Sequence, residues 1–180
     1  MHIERLTHLR DLLRADAANP TGVKFDLSAW VGHASTNNPD EIVNIFDMVE
    51  VDGNKVPTQP IAISCDTYVC ALGLAALDPV FQAQGLHFEV CPTHNPTLAW
   101  MIPQFGADDG FQAGAAFFDI SLEDSLYLFD QNSYSDCPVK AEGELYVADR
   151  VDDLINGIVD NYYHPEYKDE GDKDEGDNED

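Results

Sequence analysis

The sequence predicts a mainly α-helical domain with a minor β-hairpin, an α+β arrangement being the alternative, and two observations carry that reading. Apolar residues recur at helical spacing near both ends of the first 165 residues, at Ile3, Leu6, Leu9 and Leu13 and again at Val147, Val151, Leu154 and Ile158. Between them, residues 65–77 (CDTYVCALGLAAL) carry almost no charge and consist mainly of small apolar side chains. A helix apolar on nearly every face belongs among other elements, so this segment is expected to be the buried centre of a helical domain.

In order along the chain, residues 3–17 form the first helix, with Ile3, Leu6, Leu9, Leu12 and Leu13 on one face and Arg5, Arg10 and Arg14 largely off it. Asn19-Pro20 ends it, because a residue preceding proline is driven out of helical geometry. Phe25-Asp26-Leu27-Ser28-Ala29-Trp30 is a short segment anchored by its aromatic residues. Residues 31–64 read as an irregular insert rich in turn signals, in which Asn38-Pro39-Asp40-Glu41 starts a short helix through Phe46. Val49, Val51 and Val56 flank Asp52-Gly53-Asn54-Lys55 as a hairpin. After the 65–77 helix, Asp78-Pro79 supplies an N-cap and a first-turn proline for a short helix ending near Gly85. A strand is expected over His87–Val90 and a helical turn around Leu98-Ala99-Trp100-Met101. Ser121-Leu122-Glu123-Asp124 has the form of a capping box, with Asp in place of Glu. The last helix is expected over residues 145–162.

Residues 1–165 thus form one globular domain, followed by an acidic tail, 166–180, in which Lys168-Asp169-Glu170-Gly171-Asp172 repeats as Lys173-Asp174-Glu175-Gly176-Asp177. Such low-complexity sequence has nothing to bury and is expected to be disordered.

Four segments together carry a resemblance: Phe25-Asp26-Leu27-Ser28-Ala29-Trp30, Cys65-Asp66-Thr67-Tyr68-Val69-Cys70-Ala71-Leu72-Gly73, Ile120-Ser121-Leu122-Glu123-Asp124 and Val147-Ala148-Asp149-Arg150-Val151. They resemble a group of small uncharacterised bacterial and phage proteins with an F-D-M-x-x-W, then C-G-T-x-x-C-A-x-G pattern. The chain departs from that pattern at Asp66, where the group carries glycine. The resemblance implies a phage or bacterial accessory protein of mainly helical fold, and it brings no activity and no catalytic residue with it.

Motifs for chemistry are weak. Cys65, Cys70, Cys91 and His94 follow a C-x4-C-x20-C-x2-H spacing that zinc could use. The simpler reading makes Cys70 a small buried apolar residue among Ala71, Gly73 and Ala75. No cofactor is expected, and a small zinc-binding accessory protein is a minor alternative. A cysteine nucleophile lacks a paired histidine base, and Asp66 opposes thiolate formation at Cys65. Asp130–Asp136 superficially follows a calcium loop, but the sixth position lacks glycine and Ala141 stands where the bidentate Glu belongs. There is no phosphate-binding glycine loop, H-E-x-x-H or G-x-S-x-G. The protein is therefore read as a non-enzyme.

Charge is the strongest functional signal. The chain carries 34 acidic and nine basic residues, a net charge of −25. The tail contributes nine acids and two lysines, which leaves 25 acids against seven bases, or −18, in residues 1–165. Between Lys55 and Lys140 no lysine or arginine occurs over 84 residues that hold ten acids. Such a body repels nucleic acid and anionic membrane, so an electrostatic partner is expected to be a basic protein, including one that itself binds nucleic acid. DNA presents about one charge per 1.7 Å of axis, and a nucleic-acid mimic or anti-defence inhibitor needs dense carboxylates with few cations between them. Asp108, Asp109, Asp152 and Asp153 are the body pairs singled out for such contacts. The alternative is a virion structural or decoration protein; the expected location is the host cytoplasm, or the virion in that second reading. Asp outnumbers Glu 23 to 11 with only five lysines, a bias that a high-salt habitat would also favour.

Overall fold

The computed structural model describes residues 1–19, 23–34, 42–43, 45–51, 54–57, 67–92, 98–134 and 143–158. The fold is α+β: helices pack with two sheets, and the helix-only core expected from periodicity is replaced by one drawn from both kinds of element. Buried apolar side chains come from helices (Leu6, Leu9, Leu13, Phe117, Val147, Val151) and from strands (Val23, Phe25, Val31, Val69, Met101).

Helix α1 (Ile3–Ala18) buries Leu6, Leu9 and Leu13 as its spacing requires, while Ile3 at its start is exposed. It lies antiparallel to the last helix, α6 (Gly143–Ile155), because Arg10 meets Asp152 and Arg14 meets Asp149 and Asp152. Val147, Ala148, Val151 and Leu154 form the buried face of α6. It is shorter than the expected 145–162: it ends at Ile155, Gly157 turns the chain at φ +67°, and Ile158 is exposed. Val159 and the tail lie outside the described residues.

The first sheet has strand order β1 (Val23–Phe25), β6 (Thr67–Val69), β2 (Val31–Ala34), β3 (Ile42–Val43). β6 runs parallel to β1 and antiparallel to β2. Here the expected helix 65–77 is corrected: Thr67–Val69 is a central strand, and helix α2 starts only at Ala71, with Cys70 as its N-cap. A short apolar run buried on both faces has no strand alternation to separate it from a buried helix. The expected burial of the small-residue helix is met, since Ala71 through Ala76 are all buried in α2 (Ala71–Leu77). Gly73 is required there by close approach: a Cβ on it would stand 1.7 Å from the backbone oxygen of Trp30.

The second sheet has order β5 (Asn54–Pro57), β4 (Ile45–Val51), β8 (Leu98–Phe105), β7 (His87–Pro92), and the two-residue β9 (Asp108–Asp109) pairs with β8. The hairpin is present, with Val49 opposite Val56 and Val51 opposite Asn54. The remaining description of 31–64 is corrected: β2 to β5 cross it, and the helix expected through Phe46 is strand at 42–43 and 45–51. Leu98–Met101 is likewise strand rather than helical turn. Pro103 fits inside β8 because β4 pairs with β8 only as far as Trp100 and β9 pairs with it only from Gln104, so Pro103 falls where β7 alone flanks the strand.

The caps behave as read. Asp78 Oδ1 accepts from Val80 N and Phe81 N at the start of α3 (Pro79–Gln82), with Pro79 in its first turn. Ser121 and Asp124 close a reciprocal box on α5 (Leu122–Phe129). Helix α4 (Gly110–Phe118) has no counterpart in the sequence reading; it packs Ala113, Gly114, Phe117 and Phe118 into the core.

Candidate interaction surface

Arg5, Arg10, Arg14, Arg150 and Lys24 are engaged within the protein itself. Arg10 Nη1 donates to Asp152 Oδ1 at 2.9 Å, and Arg14 Nη2 to Asp152 Oδ2 at 2.6 Å and Asp149 Oδ1 at 3.2 Å. Half-burial raises the Asp152 pKa, but the two guanidinium hydrogen bonds outweigh it and hold the carboxyl below its ordinary value. Arg5 donates to Gln84 Oε1 and the Phe117 carbonyl and stacks 4.2 Å from the Phe117 ring centre. Arg150 lies 3.5 Å from the Tyr134 ring centre and donates to the carbonyls of Tyr127 and Ser133. Lys24 sits 5.1 Å from the ring centre of Tyr68.

The second sheet has the opposite character. Alternation along β7 and β8 sends Phe88, Val90 and Phe105 to pack against the core, with Met101 itself buried in it. The other face carries His87, Glu89 and Cys91 from β7 and Trp100, Ile102 and Gln104 from β8, with Cys91 opposite Trp100 and Glu89 opposite Ile102. Trp100 is 46% exposed at its centre. Asp109, opposite Gln104, and Asp108, opposite Phe105, are exposed and make no hydrogen bond or ion pair among the described residues. His87 lies 3.8 Å from Glu89. No lysine or arginine occurs on β7, β8 or β9. Burial raises the Cys91 thiol pKa, and Asp109 and Glu89 push it further in the same direction, so Cys91 reports an acidic neighbourhood rather than a nucleophile.

The structure therefore separates the expected acidic pairs. Asp109 is a free carboxylate on the same sheet face as Trp100, and Asp108, opposite Phe105, is free on the other side of β9, whereas Asp152 is neutralised by two arginines inside the α1–α6 pair. Asp153, beside it, is half-buried and makes no ion pair among the described residues. The expected zinc ligands are not brought together where they are described. Cys70 is fully buried at the start of α2, its Sγ accepts from Gly73 N at 3.4 Å, and burial pushes its pKa up to about 12. Cys91 belongs to the sheet face turned away from the core that holds Cys70. Cys65 and His94 lie outside the described residues. Among the described residues no group of three or more His, Cys, Asp or Glu could hold a metal ion, and no helix is long and apolar enough to cross a membrane.

Two features escaped the sequence reading. The alternation of His87, Glu89 and Cys91 with Phe88 and Val90 was available to reveal the sheet face. No local signal pairs Glu144 with Asp16, yet they meet between α6 and α1, at 7% and 2% exposure. Desolvation, then the charge of Asp16 and a hydrogen bond with it, raise Glu144 from 4.5 to about 7.

Comparison with protein-family models, curated proteins and solved structures found no match.

Proposed function

We propose that the protein is a non-enzymatic, acidic interaction protein whose partner is a basic protein, with a nucleic-acid-binding protein as the target class. The observation that carries this reading is the division of charge. The described arginines and Lys24 are engaged on the body's own carboxylates, carbonyls and rings, while Asp109 and Glu89 share the sheet face of Trp100 on strands β7 to β9, which carry no lysine or arginine, and Asp108 is exposed beside them. Carboxylates fixed on a sheet meet a basic groove without the ordering cost of a disordered arm. A half-exposed tryptophan inside an acidic rim is also the side chain most enriched where protein interfaces concentrate their energy. On this reading the acidic body stands in for the phosphate backbone at the partner's surface.

The test is capture on immobilised protein, with wild type compared with D108K/D109K at 0.1 M and 1 M salt and with duplex DNA added as competitor. Screening length falls from about 10 Å to about 3 Å over that range. Capture should fade with salt, drop at least tenfold on charge reversal, and be displaced by DNA. Capture that survives 1 M salt and charge reversal but is lost in Trp100→Ala would favour the second reading, an apolar assembly contact of the kind a virion component uses.

A further inference from the structure

The loop entering β2, the start of α4 and the end of α5 enclose a half-open cleft of about 150 Å3. Its walls are Trp30, Phe111, Phe129 and Leu27, and its polar groups include Asp130 and Ser28. Trp30 and Phe111 meet edge to face, with ring centres 4.7 Å apart and planes crossed at 64°. Phe129, 1% exposed, lies at the buried end. Asp130 uses only Oδ1 for local bonds, accepting from Asn132 N at 3.0 Å and Asn132 Nδ2 at 2.9 Å. Its Oδ2 makes no hydrogen bond among the described residues. Ser28 is held by Asp26 Oδ1, which accepts from both its amide and its hydroxyl, so a second carboxylate stands behind the rim. No lysine or arginine lines the cleft among the described residues. Arg150, near the same turn, is committed to Tyr127, Tyr134 and Ser133.

We propose that this cleft is a binding site for an organic cation, the head of a basic side chain or a free quaternary ammonium. Aromatic rings attract cations through the negative potential of their faces, and the attraction grows where water is excluded. Three rings and one carboxylate oxygen with no other described use supply that chemistry, and the strongly negative body adds to it. Size narrows the ligand class: the volume is about half the lower limit of roughly 300 Å3 for drug-like sites, which admits one cationic head but not a cofactor. Phe111 lines the cleft two residues after Asp109, so the Trp30 reporter and the Asp130 substitution, rather than distance, distinguish its occupancy from the interaction proposed above.

The test uses the intact chain with Trp100→Phe, which leaves Trp30 as the only tryptophan and therefore a local fluorescence reporter. Choline is titrated against 3,3-dimethylbutan-1-ol, its neutral isostere, and a tetra-arginine peptide supplies a side-chain source. Choline should change Trp30 emission saturably, with the isostere at least tenfold weaker. Asp130→Asn, which keeps the Oδ1 acceptor for Asn132, should weaken choline at least threefold, and Phe111→Leu should weaken it further. Tighter binding of the peptide, weakened by the same two substitutions, would assign the site to a partner's side chain; tighter binding of choline would assign it to a free amine. Equal responses to choline and its isostere, no response to either, or binding unchanged in Asp130→Asn would overturn the proposal. If Phe111→Leu does not fold, Asp130→Asn and the isostere comparison decide the matter.

Discussion

The buried Glu144–Asp16 pair makes stability depend on pH in a direction that can be worked out from the structure. An ordinary glutamate is ionised above about pH 4.3, but Glu144 in the folded protein holds its proton up to about pH 7. Between those values the folded state binds more protons than the unfolded one, so stability falls as pH rises. The contribution is fully present below the unfolded pKa and is lost as pH climbs through 7. A rise from 4.5 to about 7 corresponds to roughly 3 kcal/mol of preference for the protonated form. Solvent that reaches the 7% exposed Glu144 screens part of this, so about 2 kcal/mol is expected. Glu144→Gln removes the ionisable group, keeps its shape and retains an N–H to donate to Asp16. Thermal unfolding of parent and variant from pH 4 to 8 isolates the effect, since every other carboxylate titrates in both. The two should melt together near pH 4 and separate as pH rises, with the variant about 4–8 °C more stable at pH 8. A gap that does not change with pH, or a variant less stable throughout, would refute the raised pKa of Glu144.

Other outcomes follow from specific contacts. Gly73→Ala sets a methyl 1.7 Å from Trp30 O, so β2 or α2 must shift; about 3 kcal/mol and 6–12 °C should be lost, and a melting point within 2 °C of the parent would contradict the packing. Asp152→Ala removes the acceptor shared by Arg10 and Arg14 and should cost about 1 kcal/mol in urea unfolding, without weakening capture of a basic partner as D108K/D109K does. Cys70 should resist a thiol reagent in the native state while Cys91 reacts slowly, as mass spectrometry of labelled peptides would show; labelling of Cys70 at the same rate would place it at the surface. Deleting residues 168–180, which contain no apolar side chain beyond glycine, should leave the melting point unchanged, and a fall of several degrees would show that the tail packs on the body.

What the sequence determined by itself is the part written in neighbours three or four residues apart and in totals. The leucine stripe of α1, the Asp78-Pro79 start of α3, the Ser121–Asp124 box and the pairing of Val49 with Val56 all rest on near neighbours, and each is where the sequence places it. The scarcity of positive charge is likewise a property of composition. Tertiary structure decided what depends on distant partners. Thr67–Val69 became a strand because β1 and β2 flank it, and Leu98–Met101 because β4 and β7 do; isolated apolar runs carry no record of those ladders. Asp108–Asp109 and Asp152–Asp153 look alike as dipeptides. Yet the first pair stands free on strand β9, while in the other Asp152 is neutralised by arginines more than 130 positions away. The same reason hides the raised pKa of Glu144 beside Asp16 and the aromatic cleft: each exists only where helices and loops far apart in the chain bring desolvated groups within bonding distance, and burial, not residue type, gives those groups their chemistry.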